Sequence, residues 1–466
     1  MEKNNTQLLD LFKSLDKKDL RDLKKFVRSP FHNQREDVIL LFDYLSKQHP
    51  FLRPKKVKNE TIFAAIYPDR DYHAADYYHL CFYLKRVLEK YFIFIEKEQE
   101  EDILLAKIYR RKGLENHFKN SVASAEKKLN KQPLRHADFH LQNFYLQQEK
   151  LEYSGQRSRR SSDNFQMATD ELSIYFISQK LKHACHALSQ KLFTNIDFEE
   201  AFLQEILKYV ELKKYQDTVP AIAVYYAYYQ SFTSEKGSFE TLRNLVGKYN
   251  GLFPMQEMRD IYLMPINFGI KEFNSGKKHY LREVFDLYKQ GLKYGVFLDN
   301  GILSHYTYGN INSAALGLKE FVWAENFLKE YKTFLAPKNR DNVYQYNLAT
   351  LYFRKPDYAK AMDFLQTVEF TDLIYNIESR RMLLKIYFSL GEEDALHSLL
   401  ESFKRFIYRQ KDLGYHRDSF LNLIRFAGRL LNLLPSDKKG RLKLLKEIEE
   451  TKEVADKEWL YATLIQ

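Results

Sequence analysis

The sequence predicts an all-α protein, an N-terminal helical domain followed by an irregular α-α solenoid. Three observations carry that expectation. Apolar residues recur at intervals of three and four along the chain, with almost no period-2 alternation. Turn formers are scarce: 16 Gly and 11 Pro in 466 residues, roughly half of average usage, which favours long helices and short connections. Aromatic residues reach 15% and fall inside helical patterns, where Tyr and Phe fill the space between packed helices.

The first helices are short. Leu8, Leu9, Leu11 and Phe12 form one face, and after a break at SLDKKD the next face comes from Leu20, Leu23, Phe26 and Val27. Pro30 disfavours helical geometry at Ser29, so RSPFHN stops that helix. REDVILLFDYLSKQ starts another, with acids in the first turn where the helix dipole favours them. A loop around HPFLRPKKVKN follows. From Ala74 to about Leu129 the pattern is nearly unbroken helix, with RRKGLEN as its interruption, and a further helix runs from just after Pro133 to about Tyr153.

Ser154 to Asp163, SGQRSRRSSD, contains three arginines and no large apolar residue. This composition predicts a basic linker and places the domain boundary there, with domains at 1–153 and 164–466. Beyond it helices pair repeatedly, in units near Phe165–Leu212, Thr218–Tyr249, Met258–Leu292, Leu303–Leu335, Val343–Phe370 and Ser379–Arg409. The last, strongly charged stretch has one apolar stripe, which suits a capping helix with a polar outer face.

Composition also bounds function. Two cysteines, Cys81 and Cys185, lie far apart in helical text and indicate a reducing compartment. The N-terminus turns charged before a signal-peptide core forms, and the run YFIFI is far shorter than the roughly 20 residues of a membrane span. A cytoplasmic protein without membrane insertion is expected. The 73 basic and 62 acidic residues leave a net charge of +11, interspersed throughout, which permits an anionic partner without requiring one.

One segment gives the paired helices a family likeness. In YNLATLYFRKPDYAKAMDFLQTV, Leu348, Ala349 and Tyr352 precede the turn Pro356-Asp357-Tyr358, and Ala361 and Leu365 follow it. The two alanines let antiparallel helices approach closely while the tyrosines fill the space beside them. The segment resembles a tetratricopeptide repeat, a helix-turn-helix unit of about 34 residues. LLKIYFSLGEEDALHSLLESF repeats Tyr387, Gly391 and Ala395, with Tyr352 and Tyr387 separated by 35 residues. NINSAALGLKEFVWAENFLKEY offers Phe321, Ala324 and Leu328, with Ala324 lying 37 residues before Ala361.

The resemblance implies a scaffold or adaptor that holds a peptide or protein in a groove lined by the first helix of each pair. It places Tyr306, Asn310, Ser313, Tyr346, Asn347, Thr350, Phe353, Arg354, Arg381, Lys385 and Phe388 on that face. Asn310, Asn347, Arg354, Arg381 and Lys385 are the expected polar contacts to an acidic segment, with Tyr346, Phe353 and Phe388 as aromatic anchors.

Two histidine pairs, His136/His140 and His183/His186, have helical i,i+4 and i,i+3 spacing, but neither brings further ligands, and no metal is expected. No phosphate-cradling glycine loop or nucleophile elbow occurs, so neither enzyme activity nor a cofactor is expected. The alternative is a nucleic-acid-associated regulator using the basic N-terminal domain and linker. Against it, the helix after SPFHN opens with Glu36 and Asp37, acids that repel phosphates.

Overall fold

A computed structural model describes residues 2–49, 58–97, 101–157, 164–191, 199, 201–233, 239–366, 373–410, 416–434 and 436–465. Among them the chain is all-α, with 24 helices and a single two-stranded ribbon. It divides into two compact units: residues 1–133 with 137–175, and residues 134–136 with 176–466.

The first unit opens with α1 (Glu2–Ser14), α2 (Lys17–Arg28), α3 (Glu36–Gln48), α4 (Asn59–Ile66) and α5 (Ala74–Lys97). Asp16 begins α2 with a capping box: its side chain accepts from the Asp19 amide, and the Asp19 side chain accepts from the Asp16 amide. Helix α2 ends as Pro30 requires, with Ser29 at φ −72°, ψ 120°. The expected faces meet in one core, in which Leu8, Phe12, Leu23, Val27, Phe42 and Leu84 are buried. A second cluster joins α6 (Glu101–Arg111), α7 (Glu115–Lys131) and α8 (Ala137–Arg157) through Ala106, Phe118, Ala125 and Leu146.

Helix α8 starts at Ala137, later than the sequence suggests, because residues 132–136 are non-helical. It also continues through Ser154–Arg157, so the first residues of the expected linker form its last turn. The rest of that linker, 158–163, lies outside the described residues, as does most of the expected loop at 49–59. The boundary between the compact units falls inside α9 (Phe165–Lys191).

The second unit continues through α10 (Leu203–Lys213), α11 (Tyr215–Thr218), α12 (Pro220–Thr233), α13 (Phe239–Lys248), α14 (Met255–Asn274) and α15 (Tyr280–Lys293). At Gly269 a β-carbon would lie 2.4 Å from Val284 Cγ2, so α14 and α15 approach too closely for any side chain there. Strands β1 (Leu298–Asp299) and β2 (Ile302–Leu303) then form a ribbon. Its turn residues Asn300 (φ 49°) and Gly301 (φ 79°) suit the left-handed geometry of a two-residue hairpin. These strands are too short to show alternation, and the Asn-Gly signal passes unnoticed in a reading based on periodicity.

Helical hairpins follow: α16 (His305–Gly317) with α17 (Phe321–Tyr331), α18 (Arg340–Arg354) with α19 (Tyr358–Gln366), and α20 (Leu373–Leu390) with α21 (Glu393–Arg409). Each first helix packs on its own second helix and on the first helix of the next hairpin, so α16, α18 and α20 form one layer. Ala349 and Ala361 are fully buried in one cluster with Leu365, Met382 and Ile386, the close contact their size permits. Ala395 is only half-buried, and Leu396 faces the core in its place. Helices α22 (His416–Leu431), α23 (Lys438–Glu450) and α24 (Lys457–Ile465) close the unit around Phe426, Ile448 and Leu460. No described helix is long and apolar enough to cross a membrane.

Candidate functional site

The layer of first helices carries a continuous aromatic and charged strip. On α16, the His305 ring lies 4.0 Å from Tyr306 and 6.2 Å from Tyr375 of α20. Tyr375 in turn lies 4.7 Å from Tyr346 of α18. Burial raises the Tyr346 phenol, and the Glu378 carboxylate beside it adds to that rise. Glu378 pairs with Arg381 one helical turn on.

Arg381 and Lys385, the expected cations for a partner's carboxylate, already hold one. Arg381 donates Nε to Asp456 Oδ2 and Nη2 to Oδ1, both at 2.7 Å, and Lys385 Nζ reaches Oδ1 at 2.6 Å. Asp456 lies 75 residues beyond Arg381 in sequence, immediately before α24. Its backbone is left-handed at φ 53°, a conformation Asp and Asn adopt more readily than most residues. Burial by itself would raise its carboxyl, but the hydrogen bonds and charges of Arg381 and Lys385 prevail and hold it below the usual range. Burial likewise opposes the charge on Arg381, and Asp456 and Glu378 overcome it and raise the guanidinium. Phe388 meets Trp459 of α24 edge-on at 5.6 Å. The same C-terminal segment thus covers the anchor and both cations.

Four of the eight expected contacts, Tyr346, Arg381, Lys385 and Phe388, therefore fall along α18 and α20, with the cations and Phe388 beneath residues 456–459. The others diverge. Asn347 does not face a groove: it is 2% exposed, and Asn312 of α16 donates to its backbone and side-chain oxygens, both at 3.1 Å. Its own amide donates to the Val343 carbonyl at 2.8 Å. Phe353 is half-buried beside Tyr358 in the core of its own hairpin. Asn310 is exposed and bonds the Tyr288 phenol on α15. Arg354 is exposed and makes no ion pair among the described residues.

Sequence reasoning missed Asp456, Trp459, Tyr375 and His305. Glu378 and Arg381 carry a readable i,i+3 signal, but nothing local links Asp456 to α20. One histidine pair, His136 and His140, also departs from its expected geometry. His136 precedes α8 and shares no helical face with His140, which instead contacts Glu171 through Nδ1 at 2.7 Å. His183 and His186 do share α9, where burial lowers the His186 imidazole and Cys185 donates to the Tyr225 carbonyl at 3.2 Å. No group of three potential metal ligands forms among the described residues. Both cysteines are free and buried, and burial pushes the Cys81 thiol up to about 11.

At the start of α3, Asp37 accepts from Arg35 Nη2 at 2.7 Å and from the Tyr67 phenol. Burial would raise its carboxyl, but these bonds hold it low, while Tyr67 is pushed up to about 12 by burial and by Asp37. Arg35 also lies 4.1 Å over the Tyr83 ring. The linker arginines 159 and 160 lie outside the described residues. Comparison with family models, curated proteins and solved structures returns no match.

Proposed function

We propose that the chain is a non-enzymatic interaction scaffold, a tetratricopeptide-like array whose first-helix layer holds an acidic segment of a partner protein. The observation that supports it most is Asp456 seated between Arg381 and Lys385. One end of the strip is chemically suited to a carboxylate delivered by a distant segment. The strip continues to Tyr306, which is 60% exposed and open to a second chain. Two free, buried thiols suit work in a reducing cytoplasm.

The test is affinity capture from lysate of the native host, comparing wild type with a Tyr306→Ala, Arg354→Glu double variant. Both residues are exposed, so the variant leaves the core and the Asp456 contacts intact. A protein captured by wild type, lost with the variant and unaffected by nuclease supports the scaffold. Capture that survives the variant and disappears with nuclease overturns it in favour of the nucleic-acid reading.

A further inference from the structure

Helices α21 and α22 leave a second groove between them, of ≈ 440 Å³. Its floor is Leu400, Ile424 and Gly428, and its walls carry Lys404 and Arg425. Both cations are exposed and make no ion pair among the described residues, whereas Arg429 beside them is matched by Glu447 at 2.6 Å. Glu401 is the single acid of the lining, against His397 and the three cations. Arg425 is held by its guanidinium 4.4 Å over the Phe426 ring, and Glu447 attracts it from a distance without forming an ion pair with it.

Gly428 is the second element. It sits within α22, where glycine is a poor helix former, yet a β-carbon there would lie 3.7 Å from Leu400 Cδ1, an ordinary contact. Packing between the helices does not require a glycine. What its missing side chain provides is space in the groove floor. Three cations line the groove against Glu401, and Glu447 pairs with Arg429 and also attracts Arg425. The walls still keep an excess of positive charge over an apolar floor with a gap, which fits one kind of guest. Carboxylates meet the walls and an apolar side chain enters the gap.

We propose that the α21–α22 groove is a second docking site, which takes an extended acidic peptide of a partner protein with an apolar side chain between its carboxylates. The site is separate from the α16–α20 strip and does not depend on it.

The probe is a fluorescein-labelled peptide of about twelve residues alternating Glu and Leu, read by anisotropy against the full chain. Four proteins are compared: wild type, Lys404→Glu/Arg425→Glu, Gly428→Leu and Tyr306→Ala/Arg354→Glu. Circular dichroism melting checks each fold. The charge reversals are expected to weaken binding by about tenfold or more. Gly428→Leu fills the gap with every charge kept and is expected to weaken it similarly, while the strip variant stays within about twofold of wild type. Loss in the strip variant alone overturns the groove and leaves the scaffold reading standing. Equal binding by folded groove variants, absence of binding by wild type, or tighter binding of length-matched single-stranded DNA also overturns it.

Discussion

Replacing Asp456 with asparagine removes one negative charge and little else. Asparagine keeps the side-chain shape and tolerates the left-handed backbone at φ 53°, so the effect isolates the ion triad. The side chains of Arg381, Lys385 and Asp456 are 22%, 20% and 10% exposed. Removing one member of a fully buried pair costs about 3–5 kcal/mol, and the residual solvent access of the two cations reduces this to about 2–3 kcal/mol. For a unit of this size that corresponds to a drop of about 3–5 °C in melting temperature.

The pH dependence follows from the depressed carboxyl of Asp456. A group whose pKa is lower in the folded state stabilises the fold above its unfolded value and loses that contribution as pH falls through the folded value. The gap in melting temperature between wild type and Asp456→Asn is therefore full at neutral pH and closes below the ordinary carboxylate value of 3.8. Thermal melts by circular dichroism at a series of pH values measure it. Equal melting at pH 7, or a gap that persists unchanged in acid, refutes the reasoning.

Three further substitutions probe the packing. Ala361→Glu places an unpaired carboxylate in the fully buried contact with Ala349, and urea unfolding should show a loss of about 4 kcal/mol or more. Asn347→Ala removes an acceptor from the buried Asn312 amide, a loss of about 1–2 kcal/mol by the same assay, with partner capture by the surviving fold unchanged. In the first unit, Glu149→Gln weakens the charge-assisted bond to Arg110, 2.7 Å long between side chains 7% and 8% exposed. Because Glu152 still pairs with Arg110, urea unfolding should register about 1–3 kcal/mol, and Glu152→Gln, at the more exposed end, should register less.

Features governed by nearby residues were legible in the sequence. The acids opening α3, the stop at Pro30 and the alanines of α18 and α19 each act within a few turns of chain. The Asn300-Gly301 turn was equally readable, but its two-residue strands carry no periodicity to draw attention to it. What escaped was long-range. Asp456 looked like one more charge on a polar cap, because its cations lie more than seventy residues earlier. Asn347 looked like surface because an amide on a repeat helix usually is, and only pairing it with Asn312, 35 residues before, explains its burial. His136 belonged to a helix only if α8 began near Pro133, and capping residues that would have placed its start at Ala137 are absent from the local text.

The Asn312–Asn347 pair also bears on how the stack keeps its alignment. Apolar side chains slide past one another at little cost, so two helices joined only by leucines and alanines have several nearly equivalent positions. A buried amide that must meet one particular carbonyl permits a single one. Displacing α18 by one residue along α16 would strand polar groups in a dry contact. The asparagines act as a keyway between the α16 and α18 hairpins, fixing the spacing at which the outward-facing residues of these two helices are presented.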